Sequence, residues 1–228
     1  MNEFSKSSNK KKEFLMTSLE LFARKGYEKT TIQDIIDQMG VSKGAFYHYF
    51  SSKEDIIITI AREYVDGAIS LIKGIAERED LNAVEKINTL IESVNEYKAQ
   101  QEQQRLKIKG VFSKEENIKL ERKIESAFKG DAVKYFKDII EQGIQEGSFD
   151  ITNSLEMAEF MLFAINAMNA SIDELVYQKD NPNSSLSTQE IIDKLVQKLS
   201  FYEELFVRVL NIQKGSIKLQ ESYLKRFG

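Results

Sequence analysis

One proline and eleven glycines in 228 residues leave this chain almost nothing with which to interrupt a helix. Proline removes a backbone donor, and glycine costs about 1 kcal/mol relative to alanine inside a helix, so their scarcity points to an all-α fold. Apolar residues make up 42% of the chain and charged residues 30%, enough for a sizeable core beneath a charged surface. The length suits one large domain, or a small domain joined to a larger one.

Several classes of function fall away at once. The chain has no cysteine, which excludes disulfides, thiolate metal sites and cysteine nucleophiles. No metal-ligand cluster, nucleophile–base pair or phosphate loop stands out, so neither an enzyme nor a cofactor is expected. The longest unbroken apolar run is Phe160 to Ile165, six residues, against the roughly 20 needed to cross a bilayer. The N-terminus shows no apolar stretch of signal-peptide length. The expectation is a soluble, cytoplasmic protein with no membrane partner.

The net charge of −4 argues against a nucleic-acid binder, but its distribution argues the other way. Residues 1–53 carry nine Lys/Arg and six Asp/Glu, whereas the remainder carries 23 and 30. A polyanion contact is therefore expected near the N-terminus.

The same region shows short helices closely spaced. Phe14, Leu15, Ser18, Leu19, Phe22 and Ala23 form one face of a helix over 10–25, and Gly26 stops it with Tyr27 placed for the accompanying apolar contact. Thr31 with Asp34 three residues on reads as an N-cap and its acidic first-turn partner. Ile32, Ile35, Ile36 and Met39 give the buried face of this second helix, which Gly40 ends. Ser42 caps a third helix running to about Tyr49. Two short helices across a glycine-containing turn form a helix-turn-helix. At 100° per residue, Lys43, Gly44, Tyr47 and His48 share an arc of about 140°, while Ala45, Phe46 and Tyr49 face the first two helices. A cation, a bare backbone, a phenol and an imidazole on one exposed face suit phosphate oxygens and base edges in a major groove.

The run "GYEKTTIQDIIDQMGVSKGAFYHYFSSKEDI", Gly26 to Ile56, resembles the DNA-binding signature of the TetR/AcrR family of bacterial transcriptional regulators. Gly26–Tyr27, Thr30–Thr31, Ile35, Gly40–Val41–Ser42, Gly44, Tyr47–His48–Tyr49–Phe50 and Ser52–Lys53 carry the match. Ile36 and Met39 depart from it, standing where the family usually has alanine, which implies altered packing between helices. The resemblance implies an N-terminal domain over residues 1–52 that binds DNA and a larger helical domain over 53–228 for ligand binding and dimerisation. By the same analogy Lys43 and Tyr47 touch bases and phosphates. Ser42, Thr31, His48, Tyr49 and Lys53 contact phosphates, Gly44 belongs to the same surface, and Gln33 reaches the groove edge. Capping alone would also explain Thr31 and Ser42.

Beyond the motif every segment reads as helix: about 53–77, from Asn82 to about Tyr97, 115–146, 153–178 and 188–212. Gly130 lies inside the third of these and marks a bend, and "GIQEGSFD" ends it with a glycine turn. Lys10–Lys12 read as a solvated tail or an arm toward DNA, and "QKGSIKLQESYLKRFG" as a helix extension or a loose tail. In "AINAMNAS", Ala164, Ala167 and Ala170 permit close helix approach, and the family analogy makes the last two helices a homodimer interface. Asn166 and Asn169 beside Met161 and Met168, with Phe112, Phe128, Tyr135 and Phe136, either line an effector pocket or fill a core.

The functional expectation is a dimeric repressor on a palindromic double-stranded operator, released by a small molecule. The competing expectations are a ligand-independent activator, and a helical interaction protein or small enzyme that keeps the helix-turn-helix as scaffold.

Overall fold

The computed structural model describes the backbone of residues 3–112 and 118–224, with the side chains of 9–108, 110–111, 130–179 and 181–224. These residues form helices and connecting turns, and no strand occurs among them. The helices are α1 (Glu3–Lys25), α2 (Ile32–Met39), α3 (Lys43–Tyr49), α4 (Lys53–Ala76), α5 (Ala83–Gln100), α6 (Glu102–Phe112), α7 (Ile118–Gln145), α8 (Ser154–Asp180), α9 (Thr188–Leu210) and α10 (Leu219–Leu224). The all-α expectation holds.

The chain divides into two compact units, residues 1–68 with 100–128, and residues 69–99 with 129–228. In the first, Phe14 is the hub: its ring meets Phe46, Tyr49 and Phe50 at centroid distances of 5.9, 5.6 and 6.0 Å. Edge-to-face and tilted contacts of this kind add to the burial term. Ile35, Ile36, Ile56, Ile57 and Ile60 complete that core, and α6 contributes Ile108 and Val111. The second unit buries Ile87, Leu90, Phe136, Ile140, Met161, Met168, Leu195 and Phe206 together.

Three features depart from expectation. Helix α1 begins at Glu3, so Lys10–Lys12 stand on a helix instead of a tail; Lys10 pairs with Glu13 at 2.7 Å, and the Lys11 ammonium lies 5.9 Å from the Phe50 ring centre. Helix α6 arises from "EQQRLKIKGVF", which has few apolar residues and lies outside the helices expected from the pattern. The segment 213–224 is not loose: Ile217, Leu219 and Tyr223 are buried in the second unit. Asn88 grips this segment at two points, donating to the Ser216 carbonyl at 2.7 Å and accepting from the Lys218 amide at 3.0 Å. Buried Asn95 donates to Ser222 Oγ at 3.0 Å, and the Tyr223 hydroxyl donates to Asn169. The buried pair Asn95 and Ser222 thereby satisfy each other, as burial requires.

Candidate nucleic-acid interface

The helix-turn-helix is fixed by its caps. Thr31 adopts extended backbone and accepts the Asp34 amide at 3.1 Å, while Asp34 Oδ2 accepts the Thr31 amide at 2.8 Å, a reciprocal capping box. Asp34 also takes the Lys25 ammonium at 2.6 Å, tying α1 to the start of α2. That Lys25 contact, followed by the Thr31 amide and hydroxyl, holds the Asp34 carboxyl far below the usual carboxylate range. At the other end Gly40 takes φ +63°. The Gly40 and Val41 amides donate to the Asp37 and Ile36 carbonyls at 3.2 and 3.1 Å, closing a Schellman turn. Ser42 then caps α3 by accepting the Ala45 amide at 3.2 Å.

This turn aims α3 so that Phe46 is fully buried while Lys43, Gly44, Tyr47 and His48 are exposed. Tyr47 is 50% exposed, its ring braced edge-on against Phe46 at 5.3 Å. Tyr49 is half-buried between Phe14 and His48. Thr31, Ser42 and Gln33 are exposed beside this face, and Gln33 donates to Asp37 at 2.7 Å. Lys53 sits differently. Its ammonium donates to the Tyr27 carbonyl at 2.7 Å, lies 4.2 Å from the Tyr27 ring centre and stands 4.0 Å from Glu28. Burial, with Glu54 and Glu28 nearby, pushes the Tyr27 phenol up to about 12. Lys53 is thus a clamp across the unit.

Gly44 is informative because nothing inside the protein asks for it. A Cβ there would meet only Ser42 Oγ, at 3.8 Å, which is ordinary contact. A glycine inside a helix costs stability, and no contact among the described residues offsets that cost at Gly44. Sequence patterning missed the Lys25–Asp34 bridge, since nine residues and a turn separate its partners and no periodicity reports it.

Of the residues proposed for an effector pocket, Phe136, Met161 and Met168 are buried together, Tyr135 is half-buried, and Asn166 is exposed. Asn169 accepts the Tyr223 hydroxyl. Phe112 and Phe128 lie outside the residues whose side chains are described. No group of three metal-ligating side chains occurs among the described residues, and no helix among them is long and apolar enough to cross a membrane.

Residues 14–60 match the family model for bacterial regulatory proteins of the tetR family. The uncharacterized HTH-type transcriptional regulator YerO of Bacillus subtilis is 41% identical over 70 residues, which are 31% of this chain and span 24% of YerO's own length. The HTH-type transcriptional repressor KstR2 of Mycobacterium tuberculosis is 29% identical over 152 residues, 62% of this chain and 70% of the repressor. A TetR-family regulator from Syntrophomonas wolfei shares the fold at TM-score 0.61 and 24% identity, over 90% of this chain and 99% of that one. The regulator FadR of Bacillus subtilis, crystallised in complex with stearoyl-CoA, does so at TM-score 0.57 and 21% identity, over 88% and 98%. The relatives are transcriptional regulators, not enzymes. A chain that folds its first helices in this way and matches that family model over residues 14–60 carries the DNA-binding domain of the tetR family of bacterial regulatory proteins.

Proposed function

We propose that the protein is a dimeric repressor that binds a palindromic operator and leaves it when a small molecule binds. The DNA-reading surface is the exposed face of α3, with Lys43 and Tyr47 at the bases and Thr31, Ser42 and His48 on phosphates. The observation that carries this reading is Gly44, a bare helical position with room for a methyl group and no internal need to be bare. A groove edge approaching the backbone supplies that need. Lys53 supports the surface from behind by holding Tyr27.

Dimerisation through α8 and α9 is supported by the apolar side chains they leave exposed, Phe163 at 73%, Phe201 at 61% and Tyr177 at 64%. A two-fold pair of α3 helices then reads two half-sites about one helical turn, or a multiple, apart. On this reading residues 1–52 bind DNA and residues 53–228 receive the effector and the second copy. Repression is favoured because KstR2 is a repressor. The FadR complex makes acyl thioesters the first effector class to test. A tenfold to hundredfold loss of operator affinity needs about 1.4–2.7 kcal/mol of coupling.

The test is capture of sheared genomic DNA by the purified protein at about 0.15 M salt, beside a Lys43→Ala/Tyr47→Ala variant. Enrichment of one short palindrome by the wild type alone, released by an acyl thioester, supports the reading. Equal enrichment by the variant, or fragments with no shared sequence, removes it.

A further inference from the structure

Inside the first unit, a cleft of about 640 Å³ opens between the C-terminal end of α1, the turn that follows it and α6. Its volume lies in the range of small-molecule sites. The lining is of two kinds. Leu106, 54% exposed, gives an apolar wall, and Phe22, 2% exposed, lies at the base of the cleft. Around them stand Arg24, Lys25, Lys29 and Lys107, against one acid, Glu28.

The pairing of these charges decides what the cleft can hold. Lys25 is spent on Asp34 at 2.6 Å, and Glu28 lies 4.0 Å from the Lys53 ammonium. Arg24 belongs to the last turn of α1, where the helix dipole favours a cation. Lys29 and Lys107 have no ion pair or hydrogen bond among the described residues. A Cβ on Gly110 would meet nothing within 4 Å, so the α6 side of the cleft is open. Two uncompensated cations from different segments therefore flank the exposed Leu106 side chain.

We propose that this α1–α6 cleft binds a small amphiphilic anion, its tail on Leu106 and its head between Lys29 and Lys107. The site is separate from any effector site among the helices of the second unit, and it does not depend on the repressor reading. Because α1 carries Phe14, on which α3 packs, a ligand here bears on the element that supports the DNA-reading helix.

The test is calorimetric titration of the full chain with decyl phosphate below its micelle concentration, with inorganic phosphate and decanol as the two halves of the probe. The expected result is saturable binding of decyl phosphate at least tenfold tighter than either half. Lys29→Ala with Lys107→Ala should weaken it about tenfold, since both charge contacts to the head group are lost. Leu106→Ser should weaken it too, and Lys194→Ala with Lys198→Ala, on α9, should leave it unchanged. All substituted positions are at least partly exposed, so the variants should keep the wild-type melting temperature. Absence of saturable binding, equal binding of inorganic phosphate, or binding untouched by the Lys29/Lys107 pair overturns the proposal. So does a variant that loses non-specific duplex DNA binding while keeping decyl phosphate, which would make these lysines DNA contacts.

Discussion

The ring of Phe149 lies directly on the backbone of Gly143, so close that a Cβ built on that glycine would sit 2.1 Å from Phe149 Cδ2. The chain reverses between them: Gly147 takes φ +70°, and the Ser148 and Phe149 amides both donate to the Gly143 carbonyl, at 2.9 and 3.0 Å. The turn closes on Phe149, which is almost fully buried. Gly143→Ala should therefore destabilise the protein by about 1–3 kcal/mol, because a buried aromatic ring has nowhere to retreat. The gain in helix propensity offsets about 1 kcal/mol at most. Thermal unfolding followed by circular dichroism checks this, and a rise in melting temperature would refute it.

Gly44 should behave in the opposite sense. With only Ser42 Oγ near the new methyl group, Gly44→Ala should stabilise the fold by about 0.5–1 kcal/mol. If a DNA groove approaches this backbone, the same change should weaken operator binding at least tenfold. Melting and a DNA titration on one preparation measure both, and unchanged DNA affinity would remove Gly44 from the interface.

Lys86 is a buried cation, 5% exposed, held by neutral oxygens: it donates to the Ala76 carbonyl at 2.7 Å and to Gln142 Oε1 at 2.6 Å. Gln142 in turn donates to the Leu81 carbonyl and to Glu146, whose other oxygen accepts the Ala83 amide. Gln142→Ala removes the centre of this chain and leaves buried groups unpartnered. The expected loss is about 1–3 kcal/mol in denaturant unfolding. Gln142→Glu, which restores an acceptor for Lys86, should recover part of it.

Asp34 gives the helix-turn-helix an acid-labile tie. Its carboxyl is held below the ordinary value of 3.8, chiefly by Lys25 and then by Thr31, so the folded state favours the charged form. That contribution is complete above the unfolded pKa and is lost as pH falls through the lower folded one. Asp34→Asn should therefore be less stable than wild type at neutral pH, with the gap closing as pH falls below about 4. Urea midpoints across the acid range decide it, and a gap independent of pH would assign the loss to geometry alone.

What the sequence made legible follows from how local each signal is. The capping box of Thr31 and Asp34, the Gly40 turn and the split of α3 into buried Phe46 and exposed Lys43, Gly44, Tyr47 and His48 all lie within a few residues of one another, where periodicity and cap chemistry speak directly. Helix α6 was invisible because its eleven residues carry little apolar pattern; it is stable through Ile108 and Val111 against the first core, a tertiary effect. Lys86 and Asn95 look like solvated surface in sequence, and only partners 56 and 127 residues away explain their burial. Lys53, expected on a phosphate, is held by Tyr27 across 26 residues.

The docking of residues 216–224 has a consequence for how the protein is made. Ile217, Leu219 and Tyr223 fill the second core, and Asn88, Asn95 and Asn169 find their partners only in that late segment. During translation α5 and α8 emerge long before it, with apolar surface and three amides waiting. The first unit draws only on residues up to 128 and can close while synthesis continues. The core of the second unit is therefore complete only once α10 has been delivered.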